Sequence, residues 1–188
     1  RNFYDTNLPE EQGVEFEGSI QATQGLRFSA MLGYNDTEIV SYGIGPGGVA
    51  GNCGECNLVY GSFAGVIGRE LPTVPKLTWS VSADYSAPLT GELTWYTRGD
   101  YQHQGKKYSD FAGATWVGDR ENLNARIGIR GEKWSAEVFG TNLTDDDTFL
   151  SAYNGVDVFT FLVPPQKNEV RFAPPIPRSF GIRATYEF

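Results

Sequence analysis

Histidine, cysteine, methionine and long apolar runs are all scarce in this chain of 188 residues. His103 is the only histidine, so neither a multi-histidine metal centre nor a repeated Ser–His pair can be assembled. No apolar run approaches the roughly 18 residues of a transmembrane helix. Basic residues are outnumbered, and the formal net charge of -8 argues against nucleic acid as a partner. These absences predict a protein that is not an enzyme and has no cofactor or metal site.

Glycine and aromatic residues are plentiful instead, at 23 glycines and 14% aromatics, which favours strands over helices. Seven segments alternate apolar with polar residues, as Val14, Phe16 and Ile20 do against Glu15 and Glu17. Side chains alternate across a strand, so each segment has one apolar and one polar face. At about ten residues, they match the length of a tilted membrane-crossing strand. The predicted strands are 13–23, 26–35, 77–86, 92–102, 123–130, 134–141 and 179–188.

The connections between these strands alternate strictly between short and long. Alternation of side chains alone leaves a soluble sandwich open, with the apolar face as its core. A sandwich gives no reason for every long loop to lie at one end, whereas a transmembrane barrel has short periplasmic turns and long extracellular loops. The sequence therefore predicts an all-β, antiparallel transmembrane barrel, with 1–188 forming part of one domain. The short connections are 24–25, 86–91 and 131–133, and the long ones are 36–76, 103–122 and 142–178.

Aromatic residues of the apolar faces fall near the two ends of the predicted strands. Interfacial girdles of a barrel have this arrangement. One group lies towards the short turns and the other towards the long loops. The first group comprises Tyr85, Trp95, Trp134, Tyr186 and Phe188, and the second comprises Tyr34, Trp79, Tyr101 and Phe180.

The last strand is apolar on one face up to the terminal residue, through Phe180, Ile182, Ala184, Tyr186 and Phe188. It resembles the C-terminal signal of bacterial outer-membrane proteins. This resemblance implies the barrel-assembly machinery as a partner and a periplasmic C-terminus in a Gram-negative bacterium.

Motifs along most of the chain resemble those of the TonB-dependent receptors, in the order and spacing of that family. In these motifs a strand begins after a glycine or a proline, and one strand ends with an Asn-Leu-x-Asp sequence. The matching segments are Gly13-Val-Glu-Phe-Glu17, Thr73-Val-Pro-Lys-Leu77, Trp134 through Asn142-Leu-Thr-Asp145, and Pro177-Arg-Ser-Phe-Gly181 with Phe188.

This resemblance implies an outer-membrane receptor that takes up a scarce nutrient, such as an iron–siderophore complex, energised by TonB. Barrels of the family have 22 strands around a plugged lumen, and seven strands cannot close a barrel. We therefore expect a piece of a longer protein, with outer-membrane lipid and a small nutrient as partners. The plug domain, which is absent from this sequence, and contact with the TonB complex would belong to the missing N-terminal part. The alternatives are a passive outer-membrane channel or adhesion barrel, and a soluble extracytoplasmic β-protein that binds an apolar ligand in its interior.

Two local features carry further interpretations. Cys53-Gly-Glu-Cys56 would suggest a redox or metal motif in a reducing compartment. On a cell surface it predicts a disulfide between Cys53 and Cys56 in the first long loop. Asp145, Asp146 and Asp147 lack the pattern of a calcium loop and predict a solvated turn.

Ligand contacts of a receptor are expected from its long loops, because loops on a rigid scaffold carry binding residues. Aromatic faces suit sugar, catechol or corrin rings, and one arginine could meet an anionic group. The competing interpretation is that these side chains only pack the loops together. The candidates are Tyr42 and Tyr60 in the first loop, Tyr108, Phe111 and Trp116 in the second, and Tyr153, Phe159, Phe161 and Arg171 in the third.

Overall fold

A computed structural model describes residues 7–42, 66–156 and 168–188. Eleven strands occur there, and seven of them form one antiparallel sheet in the order β1-β2-β3-β4-β7-β8-β11. Two further pairs, β5–β6 and β9–β10, form separate two-stranded sheets. The strands are β1 Asn7–Gln21, β2 Leu26–Tyr42, β3 Leu77–Thr90, β4 Leu93–Gln104, β5 Lys107–Tyr108, β6 Trp116–Val117, β7 Arg120–Arg130, β8 Trp134–Thr141, β9 Ser151–Val156, β10 Asn168–Ala173 and β11 Ser179–Tyr186.

No helix with the length and apolar character to cross a membrane occurs among these described residues.

The seven strands of the large sheet are the seven predicted from alternation, and the register between them puts all their apolar faces on one side. Gly18 lies opposite Ala30, and Ala30 lies opposite Val81. Val81 in turn lies opposite Tyr101 on β4. The same alignment continues to the last strand, where Val138 faces Ile182. We call this side the apolar face and the opposite side the polar face.

The apolar face is not covered by any part of the chain that the structure describes. Val14, Ile127 and Ile182 on it are 67%, 55% and 80% exposed. A water-soluble sheet would bury such a face, because each large apolar side chain gains roughly 1.5–3 kcal/mol on burial. The exposed face is expected of a wall that contacts lipid, whereas the soluble alternative needs this face to be covered.

Buried side chains gather instead at the long-loop end of the sheet. Ile39, near the end of β2, and Val66, where the first loop returns, are both buried. Ile39 N–H donates to the Arg69 carbonyl at 2.9 Å, and Gly68 N–H donates to the Ile39 carbonyl at 3.0 Å. The returning loop therefore continues the hydrogen bonding of the sheet beyond its apolar band.

Aromatic side chains form two bands on the apolar face, as predicted. Towards the short turns, the Tyr85 and Trp95 rings lie 5.1 Å apart between centroids. Towards the long loops, Trp79 stacks on Tyr101 at 5.2 Å and on His103 at 5.7 Å.

Several strand ends differ from the prediction. β1 begins at Asn7 rather than at 13, and β2 continues to Tyr42 rather than stopping at 35. The alternation fails there because Asp36 and Glu38 occupy positions in line with the apolar face. β7 begins earlier, at Arg120, and β11 ends at Tyr186, two residues before Phe188.

The second and third long connections also contain strands, which the alternation of residues did not predict. The second contains the β5–β6 hairpin and the third contains the β9–β10 pair. The hairpin is tied to the first loop, since Thr73 N–H donates to the Tyr108 carbonyl at 2.7 Å.

Candidate functional site: the polar face

The upper half of the polar face, towards the long loops, is rich in neutral amide and hydroxyl groups. On β7 this face presents Asn122 and Asn124, and Gln102 of β4 lies opposite Asn122. Ser80 on β3 lies opposite Gln102 in the same row. Such groups both donate and accept hydrogen bonds, so this part of the wall can bind polar ligands of either sign.

A groove of about 300 Å³ opens at this end of the polar face. The oxygen Oδ1 of Asn122 is buried there without a hydrogen-bond partner within the described residues. Buried polar atoms are nearly always paired, so this atom is available to a ligand or a water molecule. The groove is lined by Arg120, Glu121, Asn122, Asn124, Thr141, Asn142, Asp146, Thr148, Leu150 and Ile176.

Asn142 fixes the rim of this groove. Its backbone has a φ of 49°, a left-handed conformation that asparagine tolerates better than most residues. Its Nδ2 donates to the carbonyls of Asp146 at 2.9 Å and of Ile176 at 2.8 Å. Its Oδ1 accepts from Thr144 Oγ1 at 3.0 Å and from Asp146 N–H at 3.1 Å. One buried amide thus joins the end of β8 to the third long loop, which gives the asparagine of the Asn-Leu-x-Asp motif a structural role.

Asp146 is held by the same rim. Its carboxylate accepts the backbone N–H groups of Glu121 and Thr148. Burial raises the pKa of this carboxyl, but the hydrogen bonds from Glu121 and Thr148, with the charge of Arg120, outweigh burial and lower the pKa below its usual value. The turn predicted to be merely solvated is therefore organised by this aspartate.

Acid is expected to reduce the stability that the Asp146 carboxylate gives to the rim of the groove. Because the folded-state pKa lies below the ordinary 3.8, its stabilising effect is complete above pH 3.8 and is lost as the pH falls through the folded value. The measurement is unfolding of the wild type and of Asp146→Asn across this range. The two curves should converge as the pH falls, and a constant difference between them would contradict this account.

The lower half of the polar face, towards the short turns, carries charges. Arg98 donates to Asp84 at 2.9 Å and to Asp100 at 2.6 Å. Arg183 on β11 pairs with the buried Glu137 at 2.7 Å, and Glu137 also accepts from Tyr96 at 3.0 Å. These contacts join β3, β4, β8 and β11 across the wall. A second recess, of about 410 Å³, lies among these residues.

Of the aromatic candidates, Tyr108 and Trp116 come together on the β5–β6 hairpin, where they face each other in the register. Lys106 Nζ lies 4.5 Å from the Tyr108 ring centroid and 4.8 Å from that of Trp116. The Trp116 side chain is 52% exposed, so one part of this cluster faces outward. The hairpin therefore presents two neighbouring aromatic rings with a positive charge beside them.

Phe111 lies at the tip of the same hairpin and is partly exposed. The tip is held by Asp110, whose buried carboxylate accepts the N–H groups of Ala114 at 2.9 Å and Thr115 at 2.7 Å. The position of Phe111 is thus set by a structured turn.

Tyr153 and Arg171 face each other across the β9–β10 pair. Both are exposed, and Arg171 forms an ion pair with Glu169 on its own strand. The structure does not bring this pair into contact with the groove at Asn122. Only the backbone of Tyr42 is described, and Tyr60, Phe159, Phe161, Cys53 and Cys56 lie outside the described residues.

Sequence reasoning missed the residues that line the groove. Asn122, Asn124 and Thr141 are neutral residues on strands, whereas the predicted ligand contacts are mostly aromatic side chains in loops. The signal available in the sequence was the pair of amide side chains on the polar face of one predicted strand.

An open sheet with one apolar face, one polar face and loops gathered at one end has the construction of a transmembrane barrel wall. Residues 3–143 match the family model described as TonB dependent receptor-like, beta-barrel. The chain belongs to this family, whose members are outer-membrane β-barrels of Gram-negative bacteria and are receptors and transporters rather than enzymes.

Solved structures show the same fold. The ferric yersiniabactin uptake receptor FyuA from Yersinia pestis matches with a TM-score of 0.70 at 16% identity, covering 98% of this chain and 24% of its own. BauA, the ferric preacinetobactin receptor from Acinetobacter baumannii, gives 0.63 at 16%, covering 97% and 22%. The siderophore receptor PiuA from Acinetobacter baumannii gives 0.64 at 18%, covering 95% and 22%. The chain thus spans about a quarter of the length of these receptors.

Proposed function

We propose that the complete protein is an outer-membrane receptor that takes up a scarce nutrient, such as an iron–siderophore complex, energised by TonB. Membership of the family supports this proposal, as does the likeness of the chain to three receptors whose names refer to ferric complexes or siderophores. The groove at Asn122 supports a binding site in this part of the wall, because it combines a buried amide oxygen that has no partner among the described residues with the structured rim at Asn142.

Uptake by cells tests the proposal. Cells producing the full-length protein should accumulate radioactive iron from a panel of ferric siderophores, and loss of TonB should abolish that uptake. Uptake that persists without TonB would indicate a passive channel and would sink the energised mechanism. Ligand binding by Asn122→Leu tests the site, because leucine has the same branched arrangement of side-chain heavy atoms but cannot form hydrogen bonds. A change in affinity of at least about tenfold is expected, the effect of losing roughly 1.4 kcal/mol. Ser82→Ala, on the polar face but outside the groove, is the matched control.

The long loops are proposed to be extracellular and the C-terminus periplasmic. The short turn at Glu132 and the loop at Asp147 lie at opposite ends of β8. Glu132→Cys and Asp147→Cys, each made in a variant without Cys53 and Cys56, should therefore differ in their reactivity in intact cells. A membrane-impermeant maleimide is expected to label only Asp147→Cys. Labelling of Glu132→Cys alone would reverse the topology.

The last strand is proposed to be read by the barrel-assembly machinery. Phe180, Ile182 and Tyr186 are 72%, 80% and 59% exposed on the apolar face, and Ala184 and Phe188 are exposed as well. Such a strand offers its apolar side chains and its free edge together. The remaining loop aromatics and the Cys53–Cys56 disulfide stay predictions.

A further inference from the structure

The groove at the long-loop end of the polar face is lined by apolar as well as polar residues. Leu150 and Ile176 contribute alkyl side chains from the third long loop, and Asn122 belongs to the polar face of β7. With a volume of about 300 Å³, the groove can hold a short segment of a ligand that combines an alkyl part with a polar group.

The hydrogen bonds around the groove show what that polar group must supply. Asn124 Oδ1 accepts the backbone N–H of Asn142 at 3.1 Å, and the hydroxyl oxygens of Thr141 and Ser179 are bonded to each other at 2.7 Å. Asn122 Oδ1 differs, since it is buried without a partner among the described residues. A group that donates an N–H or O–H satisfies such an oxygen, whereas another acceptor does not.

The charged residues of the groove have opposite signs. Arg120 contributes a positive charge, and Glu121 and Asp146 contribute negative charges. Lys107 is close enough to interact with Arg120 but does not line the groove. A carboxylate that entered would be repelled by Glu121 and Asp146, and an ammonium group would be repelled by Arg120. The groove therefore favours a polar group without a charge.

An amide meets both requirements. It is neutral, its N–H can donate to Asn122 Oδ1, and its carbonyl oxygen can accept from the guanidinium of Arg120. Arg120 and Asn122 have the same parity on β7, so their Cα atoms lie roughly 7 Å apart on one face of the strand. The long arginine side chain can span that distance to the other end of an amide group.

We propose that the groove at Asn122 binds an uncharged amide group of the ligand, with its N–H on Asn122 Oδ1, its oxygen facing Arg120 and the adjoining alkyl part against Leu150 and Ile176. The biological meaning of this proposal rests on the proposed uptake function, since the nutrient would then contain an amide segment. Amide binding is a property of the groove itself, and it is tested without uptake.

A cysteine in the groove reports its occupancy. Leu150→Cys is made in the full-length protein, in a variant in which Cys53 and Cys56 are serine. Its rate of modification by a small neutral methanethiosulfonate reagent is measured with and without two probes of the same shape. Isovaleramide is a neutral amide, and isovalerate is the corresponding carboxylate. Ser82→Cys, on the polar face outside the groove, is the matched control.

Isovaleramide should slow the modification of Leu150→Cys at concentrations of about 1–10 mM, as expected for a ligand of this size. Isovalerate should need a concentration at least about tenfold higher for the same effect, because it lacks the N–H donor and carries a negative charge. Neither probe should slow the modification of Ser82→Cys.

Two substitutions of Asn122 separate the acceptor from other effects of this side chain. Asn122→Asp keeps an oxygen at this position, so protection of Leu150→Cys by isovaleramide should stay within about threefold of that in the parent variant. Asn122→Leu removes the acceptor, and protection should weaken by at least about tenfold. A merely structural role of Asn122 predicts similar losses with both substitutions.

Equal protection by the two probes, or protection that Asn122→Leu leaves unchanged, would overturn the amide site. Absence of protection by isovaleramide would also overturn it, as would a Leu150→Cys that reacts only after unfolding, since the groove would then be covered by protein. Failure of uptake with intact protection would instead refute the proposed transport function and leave amide binding standing. Uptake without protection would refute the amide site alone.

Discussion

Replacement of Val81 by arginine is expected to reduce strongly the amount of folded protein in the outer membrane. Val81 lies midway between the aromatic bands and is 46% exposed on the apolar face. An arginine at the midplane of a lipid-facing strand costs about 2–4 kcal/mol, whereas the same change on a water-facing surface costs little. The free energy of unfolding in lipid vesicles, measured with urea or guanidinium, gives the effect directly.

The adjacent residue provides the control. Ser82 follows Val81 on β3 and points to the polar face, where it lies between Ser29 and Asp100. Ser82→Arg should therefore leave stability within about 0.5 kcal/mol of the wild type, as surface changes usually do. Equal effects of the two substitutions would show that the apolar face does not contact lipid.

Loss of the Asn142 side chain is expected to produce the second large effect. Asn142→Ala removes four hydrogen bonds made by the amide and leaves the carbonyls of Asp146 and Ile176 without this donor. At about 0.5–1.5 kcal/mol for each of the four bonds, the loss is about 2–6 kcal/mol. Alanine at a positive φ adds roughly 1 kcal/mol. The measurement is again unfolding in vesicles.

Glycine separates the two causes, since Asn142→Gly tolerates the φ of 49° but lacks the amide. It should be more stable than Asn142→Ala by about 1 kcal/mol and still well below the wild type. Asp145 also has a positive φ, of 58°, but its side chain only forms an exposed pair with Arg178. Asp145→Gly is therefore expected to change stability little. A loss below about 1 kcal/mol in Asn142→Ala would contradict the assigned role.

The large sheet could be predicted because lipid and water impose a period of two on every strand that separates them. Val14 to Ile20 and Phe180 to Tyr186 show this period without interruption, and the observed register aligns them on one face. The same reasoning explains where the prediction failed. Beyond Asn35 the alternation of apolar residues ends while β2 continues through Asp36 and Glu38, as expected of a strand that extends past the lipid into water.

The ordered parts of the long loops could not be read from periodicity. Strands of two residues, as in the β5–β6 hairpin, contain too few positions to show a period. Their geometry depends on single contacts such as Asp110 capping its own turn and Thr73 reaching Tyr108. Those contacts depend on folding of distant segments and have no local signature.

The groove was missed for a related reason. Its members come from β7, from the end of β8 and from the third loop, and only register brings Asn124 beside Asn142. Aromatic residues in loops can be identified as candidates from the sequence alone, and the structure brings two of them, Tyr108 and Trp116, together on one hairpin. Whether these aromatics meet a ligand stays a prediction.

The two outer strands of the sheet have a practical consequence. In the described sheet, β1 and β11 each have a neighbour on one side only. Unpaired strand edges template the addition of further strands, and a head-to-tail contact that does not close produces open filaments. Produced by itself, this stretch is expected to polymerise edge to edge into ribbons. A recombinant immunogen based on it would therefore be better designed by transplanting the β5–β6 hairpin onto an unrelated, closed carrier.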